Sequence, residues 1–156
     1  MPITLLRDVD LQTVKAELGR MLSEGIISPN VRRLAEIAIV SKDDDIVAIF
    51  NFVRDTFPYV PDPQDMELFI HPNRMAEDYF NGRIRSEDCD GLALLTGAML
   101  GSIGYEVRIV LLDTDFDDSI DHAISQVSTD IGWLNVDASS KEPLGWYIPS
   151  GRTIYA

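Results

Sequence analysis

Apolar residues in the first third of the chain recur every three to four positions, which is the spacing of a helix with one buried face. Three such stretches predict three helices. The first is expected to stop at Gly25, and the second to start at the Ser28-Pro29 pair, a common helix-start signal. The third is predicted to begin after Ser41, whose side chain would cap it, and to end before Pro58.

The next stretch, residues 59–72, is rich in proline and turn-forming residues and predicts an extended connection on the surface of the domain. It is longer than most loops, so it is a candidate for part of a binding site. A short helix is predicted over about 73–81, with Gly82 as its stop signal.

The pattern changes at Cys89. From there to Gly104 the chain is apolar on nearly all sides, which is typical of a helix buried in the middle of a domain. Four β-rich runs follow, at 106–112, 122–128, 133–138 and, more weakly, 152–155. Helices followed by strands favour an α+β domain, in which a small antiparallel sheet packs against the buried helix and the N-terminal helices.

The length and charge of the chain limit the number of domains and the classes of binding partner. The 156 residues predict one domain spanning 1–156, with a helical part at about 1–82 and a candidate catalytic core at about 83–140. The 13 Lys and Arg residues against 26 Asp and Glu residues give a net charge of −13. This charge repels phosphate backbones and anionic lipids, so we expect neither a nucleic-acid nor a membrane partner.

The chain has one cysteine, and its N-terminal segment is interrupted by an acid, Asp8, where a signal peptide would have an apolar core. No stretch approaches the roughly 18 apolar residues of a membrane span. One cysteine cannot form an internal disulfide or a multi-thiolate zinc site. These features predict a protein of a reducing compartment, the cytoplasm, with one free thiol.

That thiol belongs to Cys89, at the start of the predicted buried helix and directly after Asp88, a plausible N-cap. Unpaired backbone N–H groups and the positive end of the helix dipole favour a thiolate at this position, which suits a nucleophile. A lone cysteine is also common as a small buried apolar residue. The position alone therefore leaves both interpretations open.

His122 and Asp137 lie in two consecutive predicted strands that a short turn would join as a hairpin. A two-residue turn at 129–130 would place them directly opposite each other, and a four-residue turn would offset them by about two positions. Either register brings a base and a carboxylate to the same end of the hairpin. With the thiol beside them they would form a nucleophile, a base and an orienting acid. A strand-end histidine without a task and a capping aspartate are the alternatives.

Three motifs carry a resemblance to a known family. They are Glu-Asp-Cys-Asp-Gly-Leu-Ala-Leu-Leu around Cys89, His-Ala-Ile-Ser-Gln-Val from His122, and Gly-Trp-Leu-Asn-Val-Asp-Ala-Ser around Asp137. In this order they resemble the core of the transglutaminase-like superfamily of papain-fold cysteine enzymes. The resemblance implies that Cys89 is the nucleophile, His122 the general base and Asp137 the orienting carboxylate, and that no cofactor or metal is needed.

The resemblance implies acyl transfer through a thioester, formed when the cysteine attacks a carboxamide or peptide carbonyl in a protein or peptide substrate. We expect a hydrolase, either a peptidase or an amidase, more than a cross-linking enzyme, because a short domain has few elements that exclude water. Similar compact chains with an Asp-Cys-Asp core occur among tailed-phage and bacterial proteins. The alternative is therefore a non-catalytic structural or interaction protein, such as a virion component that contacts other phage structural proteins. A third possibility is a peptide-binding module.

Carboxylates are unusually dense around the candidate nucleophile. Glu87, Asp88 and Asp90 are expected to raise the pKa of Cys89, against the effect of the helix dipole. The backbone N–H of Cys89 is the expected oxyanion donor, and Tyr59 is a weak candidate for a second one.

Several other residues have alternative interpretations. The acidic run 113–121 begins like a calcium loop but has Asp118 where an EF-hand needs glycine and Ile124 where it needs glutamate, so a solvated loop is favoured. His71 is expected to be a loop or cap residue. Arg83 and Arg85 are expected to be exposed, although they could also bind an anionic or carbonyl-rich substrate. Three aromatic residues, Trp133, Trp146 and Tyr147, are expected in the core.

Overall fold

Five helices and two antiparallel sheets form the part of the chain that the computed structural model describes, residues 3–6, 11–61 and 67–156. The helices are α1 (Leu11–Ile26), α2 (Pro29–Ala38), α3 (Asp45–Thr56), α4 (Pro72–Phe80) and α5 (Cys89–Ser102). The strands are β1 (Ile3–Leu6), β2 (Glu67–Ile70), β3 (Val107–Leu112), β4 (His122–Thr129), β5 (Gly132–Val136) and β6 (Thr153–Tyr155). The predicted α+β class is confirmed.

Side-chain caps explain where four of the helices begin. Ser28, Asp44, His71 and Asp88 each accept a hydrogen bond from a backbone N–H in the first turn of α2, α3, α4 and α5, respectively. Proline follows the cap directly in α2 and α4, where its missing N–H costs nothing. The prediction that Ser41 caps the third helix is wrong, because Asp44 sits closer to the apolar stripe and takes that role.

Helix α5 lies at the centre of the molecule. Its side chains from Gly91 to Leu100 are all buried, and it packs against α1, α2 and α3 on one side and the β3–β4 face of the sheet on the other. Because neighbours surround it, no polar face is needed, which is the reason for its all-round apolar sequence. The N-terminal end of α5 therefore lies at the boundary between the helical layer and the sheet.

The main sheet has the strand order β5-β4-β3-β6, and all of its pairs are antiparallel. The β4–β5 hairpin closes through the two-residue turn 130–131, so that Thr129 pairs with Gly132 and Ser125 with Val136. This register differs by two positions from direct pairing of His122 with Asp137, so these two residues are diagonal neighbours on one face.

Strands β1 and β2 form a separate two-stranded antiparallel sheet that the sequence pattern did not predict. At four residues each, they are too short to show a period of two. The connection predicted over 59–72 therefore contains strand β2 and the start of α4, and its residues 62–66 lie outside the described part of the chain.

Candidate active site

Cys89 is the first residue of α5, directly after the N-cap Asp88. The cap forms because the Asp88 carboxylate accepts the Gly91 N–H at 3.1 Å and its carbonyl accepts the Leu92 N–H at 3.0 Å. In the first turn of a helix the backbone N–H groups have no intrahelical acceptor. The Cys89 side chain thus lies where those groups converge, and it is half-buried.

The surroundings of the thiol oppose its ionisation. Burial raises the pKa of Cys89 well above its ordinary value, and the nearby carboxylates of Asp90 and Asp88 raise it further. A hydrogen bond from the Ala123 backbone N–H acts in the opposite direction, because it stabilises negative charge on the sulfur. The expectation that Asp88 and Asp90 raise this pKa is confirmed, and Asp137 raises it as well, so the resting group is a neutral thiol.

His122 and Asp137 form a hydrogen-bonded pair. Nε2 of His122 lies 2.8 Å from Oδ2 of Asp137, and the other carboxylate oxygen accepts from the Ser139 backbone N–H at 3.1 Å and its hydroxyl at 2.6 Å. Burial alone would raise the pKa of Asp137, but the bonds from His122 and Ser139 outweigh it and lower that pKa below its ordinary value. The carboxylate therefore stays ionised and fixes the orientation of the imidazole.

A cavity of about 500 Å³, here called the Cys89 cavity, brings the thiol and the imidazole together. Cys89 lies on its wall at the helix end, and His122 lies on its wall at the start of β4. Since Ala123 follows His122 directly and its N–H bonds to the Cys89 sulfur, the two elements meet at this point. The three residues predicted from the sequence are thus brought to one region.

Tyr59 forms a further wall of the Cys89 cavity. Its position follows from a short parallel bridge with Glu87, in which the Glu87 N–H donates to the Pro58 carbonyl at 3.0 Å and the Val60 N–H donates to the Glu87 carbonyl at 2.8 Å. Partial burial raises the pKa of Tyr59, and the negative charge of Asp88 raises it further, so its hydroxyl stays protonated. The segment predicted as a candidate for part of a binding site contributes Tyr59 and Pro61 to the wall of the Cys89 cavity.

The acidic loop between β3 and β4 uses its carboxylates to hold its own backbone. Asp113, which is buried, accepts the N–H groups of Asp117 and Asp118, and Asp121 accepts those of Thr114 and Asp115. Within residues 3–6, 11–61 and 67–156, no group of three or more His, Cys, Asp or Glu side chains is arranged to hold a metal ion.

Other predicted residues lie away from the thiol. His71 caps α4, as predicted, and its Nε2 lies 3.2 Å from a Glu24 oxygen. Arg85 forms an ion pair with buried Asp78 and is only partly exposed, whereas Arg83 is exposed. Neither arginine lines the Cys89 cavity.

The expected core position of three aromatic residues is wrong. The exposed fractions are 38% for Trp133, 52% for Trp146 and 76% for Tyr147. Trp133 lies at the surface of the sheet, where the Arg108 guanidinium covers its ring at 3.9 Å from the centroid. The last two belong to an irregular segment, and the Pro-Leu-Gly-Trp-Tyr-Ile-Pro run at 143–149 was the signal that it forms no regular strand or helix.

The family model of the transglutaminase-like superfamily matches residues 34–138. The chain belongs to this superfamily. The resemblance seen in the three motifs is thereby confirmed, and the matched range includes Cys89, His122 and Asp137. None of the curated proteins matches the chain.

Two solved structures with this superfamily's fold are similar to the chain. A "putative cysteine protease" from Cytophaga hutchinsonii superposes with a TM-score of 0.57 at 15% identity, covering 97% of this chain and 53% of that one. A "putative protease" from Parabacteroides distasonis superposes with a TM-score of 0.54 at 14% identity, covering 83% of this chain and 26% of that one. The chain thus spans about half or less of these proteins, and at such identity the likeness shows the fold alone.

Within residues 3–6, 11–61 and 67–156, none of the helices is both long enough and apolar enough to cross a bilayer.

Proposed function

We propose that the protein is a transglutaminase-like cysteine hydrolase that cleaves a peptide bond or side-chain carboxamide of a protein or peptide substrate. Cys89 is the nucleophile, His122 the general base and Asp137 the orienting carboxylate. The observation that carries the proposal is the 2.8 Å bond from His122 to Asp137 at the edge of the cavity that also contains Cys89. We place its activity in the reducing cytoplasm, because a nucleophilic thiol has to stay reduced.

The use of Nε2 for Asp137 leaves Nδ1 of His122 to exchange protons with the thiol and the substrate. In acylation, the Cys89 sulfur attacks the carbonyl carbon while its proton moves to Nδ1. The C–N bond then breaks, Nδ1 returns the proton to the leaving amine, and a thioester remains. In deacylation, water attacks the thioester and gives a proton to Nδ1, which returns it to the sulfur as the carboxylic acid leaves.

The neutral resting state of the thiol suits this sequence of steps. Because burial and the carboxylates raise the pKa of Cys89, the thiol proton has to be removed during attack, and the imidazole is the acceptor beside the cavity. Asp137 offsets the positive charge that develops on His122. The reaction needs no metal or organic cofactor for any of these transfers.

Water is the proposed acyl acceptor in preference to a lysine amine. The walls of the Cys89 cavity include solvent-exposed residues, among them Asp118, Ser119 and Asp121, so that water reaches a thioester formed there. Cross-linking would need elements that exclude water from the acyl-enzyme.

A non-catalytic structural protein, such as a virion component bound to phage structural proteins, is the second candidate. The observation that favours it is the raised pKa of Cys89, because a scaffold has no need of a reactive thiol. The two candidates differ in one respect that can be measured: whether His122 changes the reactivity of Cys89.

The test uses the fact that the chain has one cysteine and two histidines. The rate of iodoacetamide alkylation is measured across pH in the wild type, in His122→Ala and in the control His71→Asn, which keeps a side chain able to cap α4. We expect slower alkylation in His122→Ala alone, together with hydrolysis of peptide carboxamides that is absent in Cys89→Ala. Equal alkylation rates in all three proteins would leave the structural candidate.

A further inference from the structure

A second cavity of about 340 Å³ lies beside the His122–Asp137 pair. We call it the aromatic pocket, because its walls include Pro143, Trp146, Tyr147 and Ile148 in addition to His122 and Asp137. The two aromatic side chains are mostly exposed, at 52% and 76%. Exposed aromatic rings grouped around a concavity are uncommon on a protein surface and mark a place where apolar groups bind.

The segment that carries these rings is held in place although it has no regular secondary structure. The Gly145 N–H donates to the Asn135 carbonyl at 3.0 Å, and the Asn135 side-chain amide donates to the Trp146 carbonyl at 3.1 Å. The Trp146 N–H also closes a turn onto the Pro143 carbonyl at 3.1 Å. The pocket wall is therefore anchored to β5, the strand that precedes Asp137.

His122 lines both cavities, and Asp121 does so too, so these two residues form the ridge between them. Cys89 lines only the first cavity. In the proposed reaction the sulfur binds the acyl carbon, and the imidazole returns its proton to the leaving amine. The leaving amine therefore lies nearer to His122 than the acyl group does. Groups attached to the amine then extend beyond His122, toward the aromatic pocket.

We propose that the aromatic pocket binds the residue on the leaving-amine side of the scissile bond, and that it takes an aromatic or large apolar side chain. This assignment rests on the proposed function and names part of its substrate class. Two observations carry it: His122 and Asp121 line both cavities, and the pocket wall contains the apolar side chains of Pro143, Trp146, Tyr147, Ile148 and Pro149.

The charges of the pocket refine the ligand. Asp121, Asp137 and Glu142 line it, and its described walls contain no lysine or arginine. A free carboxylate on the bound residue would meet three acidic side chains, with no lysine or arginine in the described walls to offset them. The occupant is therefore an internal residue of a peptide, or one with a blocked carboxyl group, and not a C-terminal residue.

The first experiment measures binding without turnover. In Cys89→Ala/Trp133→Phe, Trp146 is the one tryptophan left of two, so its emission reports on the pocket. We expect a saturable change with phenylalaninamide, and binding of alaninamide and of free phenylalanine that is weaker by about tenfold or more. Cys89→Ala/Trp146→Phe, which keeps Trp133 on the sheet surface, should give no change. Equal weak responses to all three ligands would overturn the assignment.

The second experiment measures the preference in the active protein. Substrates with the same acyl group and either phenylalaninamide or alaninamide as the leaving amine are compared by the ratio of their kcat/KM values. We expect a ratio of about ten in the wild type and a ratio near one in Trp146→Ala and in Tyr147→Ala. Because both side chains are largely exposed, neither truncation should unfold the protein.

The two experiments separate the failure of this assignment from the failure of the proposed function. Selective binding of phenylalaninamide without hydrolysis of either substrate would keep the pocket and refute the hydrolase. Hydrolysis with a wild-type ratio near one, and no change in Trp146 emission, would keep the hydrolase and refute the pocket.

Discussion

The charge beside Cys89 is set mainly by two aspartates in the same helical turn, Asp88 and Asp90. Both raise the pKa of the thiol, but they differ in their structural roles. Asp88 caps α5, so its replacement would also alter the helix. Asp90 lies one residue inside the helix, where a neutral amide of the same shape is the smaller perturbation.

We therefore predict that Asp90→Asn lowers the pKa of Cys89. Removing a negative charge close to the sulfur makes the thiolate less costly, so the alkylation profile moves to lower pH. At a fixed, mildly alkaline pH the iodoacetamide rate should rise roughly three- to tenfold. Asp45→Asn, in the first turn of α3, is the matched control and should leave the profile in place. A shift to higher pH would contradict the assigned role of Asp90.

The position of a residue could be predicted from the sequence where a local motif marks it. The positions of Cys89 and His122 could be predicted, since each starts an element and carries a motif, although their catalytic roles stay predictions. Trp146 was placed wrongly in the core, because a large aromatic side chain is usually at least partly buried. Its exposure depends on the irregular path of the segment 143–149, which no period of hydrophobic residues encodes.

At the scale of elements, α5 owes its close packing to a glycine near its start. A Cβ at Gly91 would lie 1.7 Å from Cγ and 2.3 Å from Cδ of Glu87. Glu87 is buried, its backbone bridges to the chain beside Tyr59, and its carboxylate accepts the Asp88 N–H at 2.9 Å. That side chain consequently has little room to move away.

We predict that Gly91→Ala destabilises the protein by about 1–3 kcal/mol, although alanine favours a helix more than glycine does. Gly19→Ala in α1 is the matched control, because a Cβ there would meet no atom within 4 Å. That variant should gain about 0.5–1 kcal/mol. Urea unfolding of both variants provides the test, and a Gly91→Ala protein as stable as the wild type would refute the close approach of Glu87.

Helix α4 is tied to the chain before Cys89 by the buried carboxylate of Asp78. Arg74 contacts both of its oxygens at 3.1 Å, and Arg85 forms a second ion pair with it. Burial raises the pKa of Asp78, but the hydrogen bonds from the two arginines outweigh this effect, so the pKa lies below its ordinary value. A carboxylate of this kind contributes stability above its unfolded-state pKa and loses it as the pH falls through the folded-state value.

We predict that Asp78→Asn lowers the free energy of unfolding by about 2 kcal/mol at neutral pH, because two arginines lose a buried partner. The difference from the wild type should shrink as the pH falls into the acid range, where Asp78 itself becomes protonated. Asp55→Asn, at an exposed position of α3, is the control and should have little effect. A difference that is independent of pH would show that the charge of Asp78 does not stabilise the fold.

Elements with a local signal were predicted to within a few residues, although α3 was expected to begin directly after Ser41 and begins at Asp45. Four of the five described helices begin at capping side chains, and α1, α2 and α3 follow apolar stripes; both features are local. The hairpin was predicted, but its register was left between two turns, because a turn of ordinary residues such as Asp130 and Ile131 carries no strong signal. Strands β1 and β2 escaped prediction since their pairing joins residues more than 60 positions apart.

At the scale of the whole molecule, the net charge of −13 and the walls of the Cys89 cavity have the same sign. Asp88, Asp90, Asp118 and Asp121 line this cavity against one arginine, Arg152. A cavity lined by more carboxylates than cations in an acidic protein repels small anions and attracts cations. The sequence predicted the overall charge and the carboxylates next to Cys89, and the fold shows that Asp118 and Asp121 of the acidic loop line the same cavity.

We therefore predict that anionic iodoacetate alkylates Cys89 more slowly than neutral iodoacetamide, by about tenfold beyond the difference seen with N-acetylcysteinamide. The excess should decline with added salt, since the screening length falls from about 10 Å at 0.1 M to about 3 Å at 1 M. Asp118→Asn should reduce the excess, whereas Asp55→Asn on α3, outside the cavity, should not. An excess that salt leaves unchanged would contradict this electrostatic explanation, because repulsion between exposed charges weakens as the ionic strength rises.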